Sequence, residues 1–324
     1  MTDIRGSTIA VIGGAGFIGS HVVDELLREP VERIIVVDNF VRGTHRNLES
    51  AVRDPRVEVR EGSIMDVPFV EDVMRESDFA FHLAALWLHE CVHRPRDAVY
   101  VNALGTFNVI EAAQQHGVGK VVYSSSASVY GDALSIPMTE EHPFNNRTLY
   151  GATKIAGEQF FRAVHEQHGL DYVGLRYMNV YGPRMDYKGT YVSVIMKVLD
   201  RIDAGEPPVV FGDGSQAYDF VHVEDVARAN VLALKSDATD CFLNVGMGVQ
   251  TTINELVGRL LELTGSRLEP QYVPQAEMFV TNRVGSTELA ADLIGFTAGI
   301  ELGEGLASVV EWRRQDRLAA VSTA

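Results

Sequence analysis

Tyr150 and Lys154 stand four residues apart in Tyr-Gly-Ala-Thr-Lys, inside a segment patterned as a helix. Four residues span about one helical turn, so both side chains share a face. An ammonium beside a phenol favours phenolate, and can turn a group of ordinary pKa about 10 into a base near neutrality. A Ser-rich strand end, Ser124-Ser-Ser126-Ala-Ser-Val-Tyr130-Gly, lies just upstream. Near the N-terminus, Gly13-Gly-Ala-Gly16-Phe-Ile-Gly19 follows an apolar run and opens a helical pattern. Gly13 suits a tight turn, Gly16 lets backbone approach a pyrophosphate, and Gly19 allows close helix packing. The helix N-terminus then offers N–H groups and a positive dipole end to phosphates. Asp38, nineteen residues beyond Gly19, ends the second apolar run. A carboxylate there binds adenosine ribose hydroxyls and repels a 2′-phosphate, so NAD is expected over NADP, a preference that Arg42 nearby would soften.

These groups need a scaffold that brings strand ends together. Short β-branched runs recur at Thr8–Ile12, Arg33–Val37, Val57–Arg60, Phe79–Leu83, Lys120–Ser124 and Tyr172–Leu175. Helical patterns lie between them, at Phe17–Arg28, Pro68–Arg75, Arg96–His116 and Tyr150–His168. This alternation predicts an α/β fold, a doubly wound parallel sheet of the Rossmann type with ligands at the carboxyl ends of its strands. After Arg176 the rhythm loosens, Gly and Pro multiply, and later helices are expected near Thr252–Thr264, Thr287–Ile294 and Leu302–Arg314. The expected division is a dinucleotide-binding domain from 1–177 and 219–245, with a smaller α/β substrate-binding domain from 178–218 and 246–324.

The composition of the 324 residues, 46% apolar and 22% charged, is that of a globular protein with ample core. Lys and Arg total 28 against 44 Asp and Glu, a formal charge of −16, which disfavours nucleic acid and anionic membranes as partners. An anionic substrate therefore needs local cations or helix ends. Two cysteines, Cys91 and Cys241, supply no disulfide framework. With no signal-peptide pattern and no membrane-length apolar run, a cytoplasmic location is expected.

The ordered set Gly-x-x-Gly-x-x-Gly, His82-Leu-Ala-Ala85, Ser-Ser-Ser126-Ala-Ser-Val-Tyr-Gly, Tyr150-x-x-x-Lys154 and Arg176-Tyr-Met-Asn179-Val-Tyr-Gly-Pro-Arg184 resembles the extended short-chain dehydrogenase/reductase family. Within it, the chain is similar to the NAD-dependent nucleotide-sugar epimerases and dehydratases. The resemblance implies that Tyr150 takes the sugar hydroxyl proton, that Lys154 holds the nicotinamide ribose, and that Ser126 hydrogen-bonds the reacting oxygen. It implies an adenine contact for Asp66, backbone contacts to the dinucleotide from Leu83, Ala84 and Ala85, and a cofactor-facing Asn102. Phe17, Ile18, Asn39, Ser124 and Tyr177 complete the implied NAD set. For the nucleotide sugar it implies Asn179, Arg184 and Arg283. The long helices at Arg96–His116 and Tyr150–His168 would pair across a two-fold axis in a homodimer, although their apolar faces could equally be core.

Dehydratases of this family carry an Asp-Glu pair after the serine, where this chain has Ala127 and Ser128. Neither is a general acid or base at neutral pH, which favours 4-epimerisation of a UDP-hexose or UDP-hexuronate. A dehydratase, decarboxylase or reductase on the same scaffold is the alternative within enzymes, and a catalytically silent NAD sensor the alternative outside them. Two departures bear on the substrate. Tyr218 stands where the family usually places a diphosphate-binding Arg, and a phenol is no match for a bidentate guanidinium. Trp87 and His89, in Leu86-Trp-Leu-His-Glu-Cys91, are expected to stand where smaller residues often line the sugar pocket. No metal site is expected: His89, Cys91 and His93 alternate, but a helix would scatter them.

Overall fold

The first strands are near-continuous runs of Val and Ile, a pattern only a sheet covered on both sides can bury. The computed structural model, describing residues 2–186, 193–274 and 282–322, places them so. Strands β1 (Thr8–Ile12), β2 (Arg33–Asp38), β3 (Val57–Glu61), β4 (Phe79–His82), β5 (Lys120–Ser126) and β6 (Tyr172–Tyr177) join the Cys241–Val245 strand in one seven-stranded sheet. Its order is Cys241–Val245, β6, β5, β4, β1, β2, β3, and every neighbouring pair is parallel. The chain runs outward from β1 to β3, then crosses back to β4 on the other side of β1. The strand order reverses there, which opens a crevice at the carboxyl ends of β1 and β4.

Alternate side chains of the strands feed two cores. Ile9, Val11 and Val36 pack on one face with Val22, Val23 and Leu26 of helix α1 (Phe17–Leu26) and with Val226 and Leu234 of the Val223–Lys235 helix. Ala10, Ile35 and Val37 pack on the other with Val70 and Met74 of α2 (Val67–Arg75), Val109 of the Thr106–Gln115 helix and Phe161 of the Leu149–His168 helix. A third cluster, holding Tyr181, Leu199, Val210, Phe220, Leu256 and Leu306, fills the smaller region, whose strands are only two or three residues long.

The Val223–Lys235 helix was not signalled in the sequence. Its burial does not follow polarity, since Asp225 and Asn230 are buried along with its apolar residues. The expected helix at Arg96–His116 is broken instead of continuous: Pro95–Val99 and Thr106–Gln115 flank a π-helical turn, Tyr100–Gly105. Such a turn rotates one residue out of register, and here it carries Asn102 into the interior.

Candidate active site

The crevice is a cleft of about 930 Å³. Gly13, Gly16, Phe17, Ile18 and Gly19 form one wall, with Asp38 and Asn39 at the end of β2. Leu83, Ala84, Ala85 and Trp87, following β4, form the other. Ser124, Ser126, Tyr150, Lys154 and Tyr177 close its inner end, and Arg184 reaches it from the smaller region.

The glycine loop leaves no room for side chains. Gly13 sits at φ +84°, and a Cβ there would lie 2.7 Å from the backbone N of Ala84. A Cβ on Gly19 would lie 2.1 Å from the Gly13 carbonyl oxygen. Gly16 caps α1 without a side-chain acceptor, so the first-turn N–H groups are left to the cleft. The Asp38 carboxylate accepts the N–H of Ala15 at 3.0 Å and of Phe40 at 2.9 Å, tying the glycine loop to the loop after β2. Burial pushes its pKa up, and the backbone N–H groups oppose that. A bare cradle at a helix N-terminus beside a ribose-binding carboxylate is the chemistry a dinucleotide requires.

At the inner end, Thr148 N-caps the Leu149–His168 helix by accepting the Gly151 N–H at 3.0 Å, which fixes Tyr150 in the first turn. One turn on, Lys154 is buried and donates from Nζ to the Ser124 carbonyl at 2.5 Å. Its Nζ stands 5.0 Å from the Tyr123 ring centre and 5.8 Å from that of Tyr150. Burial pushes the Lys154 pKa down to about 8. Burial likewise pushes Tyr150 up to about 12, against the Ser126 hydrogen bond and the more distant charges of Arg42 and Arg283, which lower it. The spacing alone suggested that Lys154 activates Tyr150. In the free protein desolvation outweighs every nearby charge, and the ammonium is turned toward β5.

Several residues implied by resemblance stand outside the cleft lining. Asp66 N-caps α2, accepting the Phe69 N–H, while Ile64 and Met65 line the cleft in its place. Asn102 is buried one layer back, where its side chain accepts the Leu86 N–H and donates to the Leu86 carbonyl, both at 2.7 Å. It therefore sets the loop that carries Trp87. Asn179 donates to the Asp219 carbonyl at 3.2 Å, in a strand paired with Phe220–His222. Tyr218 and Arg283 are register partners in the small three-stranded sheet, and the Arg283 charge is near enough to favour the Tyr150 phenolate. Burial pushes the Arg283 guanidinium down to about 10, and its Nε has no hydrogen-bond partner among the described residues. Arg184 lies in the left-handed region at φ +67° and pairs with Asp24 of α1 at 2.7 Å.

Sequence reasoning missed Arg46, Asp186, Trp312 and Asp316 as cleft residues. Arg46 pairs with Asp316 at 2.6 Å, so the C-terminal helix grips the loop after β2. No local pattern links residues some 270 apart (316 − 46 = 270).

Residues 9–246 match the NAD dependent epimerase/dehydratase family. The chain belongs to this family, a branch of the extended short-chain dehydrogenases/reductases. As a member of it the protein uses NAD. It is 34% identical over 308 residues to the UDP-glucose 4-epimerase of Mycolicibacterium smegmatis, covering 94% of this chain and 97% of that one. It is 32% identical over 326 residues to the dTDP-glucose 4,6-dehydratase of an Actinoplanes species, covering 95% and 98%. Among solved structures, a UDP-N-acetylglucosamine 4-epimerase from Methanobrevibacter ruminantium, in complex with UDP-N-acetylmuramic acid, superposes with a TM-score of 0.91 at 32% identity, covering 96% of this chain and 99% of that one. The family thus spans both reactions that the sequence left in contention.

Proposed function

We propose that the protein is a nucleotide-sugar 4-epimerase acting on a UDP-hexose or UDP-hexuronate. The observation that carries this reading is the content of the cleft's inner end: Ser126, Tyr150 and Lys154 converge, while the next two positions hold Ala127 and Ser128, both buried and outside the cleft lining. Elimination of water needs a carboxyl group beside the reacting sugar, and those positions offer none. NAD, held along the glycine loop with its adenosine ribose at Asp38, supplies the electron-pair acceptor and donor. Tyr150 takes the proton of the sugar 4-hydroxyl and returns it, and Ser126 orients that oxygen. Lys154, freed from the Ser124 carbonyl, holds the nicotinamide ribose and favours the Tyr150 phenolate. Arg283 and Tyr218, with Asn179 and Arg184 nearer the crevice, face the nucleotide diphosphate from the smaller region, which we take to be 178–218 and 246–324. The adenine end is formed by Ile64 and Met65 with Asp66 behind them, and Asn102 acts through the Leu86–Trp87 loop.

We further infer a homodimer in the cytoplasm. Val92, Val99, Tyr100 and Leu104 all stand exposed on the successive helical segments between Leu88 and Gln115, apolar surface that a two-fold partner would cover. Cys91 and Cys241 are both free thiols, which suits a reducing compartment.

Proton NMR with UDP-glucose and UDP-glucuronate in heavy water tests the reaction. A new anomeric signal with no deuterium in the sugar supports 4-epimerisation. A 6-deoxy-4-keto product deuterated at the 5-position establishes dehydration and overturns the reading.

A further inference from the structure

Among the described residues, each cation lining the cleft has a close partner except one. Arg46 lies 2.6 Å from Asp316, Arg94 2.5 Å from Asp97 and Arg184 2.7 Å from Asp24, while Lys154 donates to the Ser124 carbonyl at 2.5 Å. Among the described residues, the carboxylate Arg42 reaches is Asp186, at 3.4 Å, and that pair is well exposed on both sides. A surface pair this long contributes little, so Arg42 is the charge the cleft can most easily redirect.

Its position is nevertheless defined. The guanidinium carbon lies 4.3 Å above the centre of the Trp87 ring. Trp87 itself is set by Asn102, which brackets Leu86 at both its N–H and its carbonyl. Gly13 abuts Ala84 so closely that a Cβ would meet its backbone nitrogen at 2.7 Å. The Trp87 platform is therefore continuous with the wall that faces the glycine loop. A guanidinium stacked on an indole keeps its edge N–H donors free for a planar, two-pronged contact with phosphate.

We propose that Arg42, carried on Trp87, binds the pyrophosphate of NAD from the side opposite the glycine loop and the α1 N-terminus. The inference rests on the dinucleotide reading of the cleft and names the cation that reading lacks. A dinucleotide brings two negative charges to a protein whose formal charge is already −16, and the glycine loop offers dipoles but no full charge. The adenosine end, with Asp38, does not suit a further phosphate. Arg42 and Trp87 both line the cleft, and Trp87 follows Ala84, whose backbone abuts the glycine loop that would cradle the pyrophosphate. Asp186 then holds Arg42 only until the cofactor arrives.

The test is calorimetric binding to cofactor-stripped protein, using NAD, ADP-ribose, adenosine and UDP, with wild type, Arg42→Gln and Asp186→Asn. Arg42 is exposed, so its replacement does not disturb the core. Arg42→Gln is expected to weaken NAD and ADP-ribose about tenfold or more, the worth of a charged hydrogen bond, and to leave adenosine and UDP unchanged. Asp186→Asn is expected to leave NAD binding equal or tighter, because it removes a competitor. Unchanged NAD affinity in Arg42→Gln overturns the proposal, as does a loss confined to UDP, which would make Arg42 a substrate contact. Equal weakening by Asp186→Asn also overturns it, since the ion pair would then act as a strap. Wild-type protein that takes up no NAD at all overturns the dinucleotide reading together with this one, whereas each of the other failures leaves that reading standing.

Discussion

Tyr150 presents the sharpest prediction, because its expected role and its resting electrostatics disagree. Burial holds its pKa near 12 in the free protein. Relative to an ordinary phenol of pKa about 10, that disfavours phenolate by about 3 kcal/mol, at about 1.4 kcal/mol per unit. At pH 8 the phenol lies about four units below its midpoint, so ionising it costs about 5 kcal/mol and only about one molecule in ten thousand is charged. A single positive charge about 5 Å away, at an effective dielectric of about 20, returns about 3 kcal/mol, or roughly two units. Oxidised NAD brings such a charge. The assay is the near-ultraviolet difference absorbance of wild type minus Tyr150→Phe, titrated upward from neutrality with and without bound NAD. Without NAD, no tyrosinate step belonging to Tyr150 is expected below about pH 11. With NAD, the step is expected to move down by roughly two units. A step near neutrality in the free protein would show that Lys154 alone overcomes burial and would refute the desolvation argument. A step that does not move when NAD binds would remove the electrostatic basis for Tyr150 as the base.

Three further outcomes follow from geometry. Gly19→Ala places a Cβ 2.1 Å from the Gly13 carbonyl oxygen and 2.8 Å from the Gly14 Cα, with no flexible side chain to yield; the loop must shift, at about 1–3 kcal/mol by chemical denaturation, and NAD binding by calorimetry is expected to fall sharply. Asp66→Ala removes the α2 cap and is expected to lower stability by about 1 kcal/mol while leaving NAD affinity unchanged; a weakened affinity would restore the adenine contact that the resemblance implies. Glu158→Gln deprives Arg176 of the carboxylate paired with it at 2.8 Å and buried with it. The expected loss is about 3–5 kcal/mol, read as a lower urea midpoint, and an unchanged midpoint would show that the buried pair contributes nothing net.

Much of the molecule is written locally. Thr8–Ile12 begins and ends where its apolar run does, and the other sheet strands before Tyr177 differ from expectation by one or two residues at their ends. Gly13 and Gly19 are legible because a backbone that must pack this closely on itself tolerates no Cβ, a demand that falls on single residues. Tyr150 and Lys154 are legible because one helical turn fixes their common face.

Other assignments depend on neighbours remote in the chain. Asp66 has a residue type that suits both an adenine contact and a helix cap, and the turn of α2 behind it shows the cap, made through one carboxylate oxygen. The Val223–Lys235 helix buries Asp225 and Asn230 because the rest of the fold supplies their hydrogen-bond partners, which no local pattern shows. Arg42 lies on Trp87 because β2 and β4 flank β1 in the sheet, and Asp316 reaches Arg46 because the C-terminal helix folds onto the cleft. The sign of the Tyr150 shift is of the same kind. Spacing specifies which charge stands nearby, but desolvation sums over every atom that excludes water, so the sequence by itself determined that Tyr150 and Lys154 share a helix face and the tertiary structure decided how that pair rests.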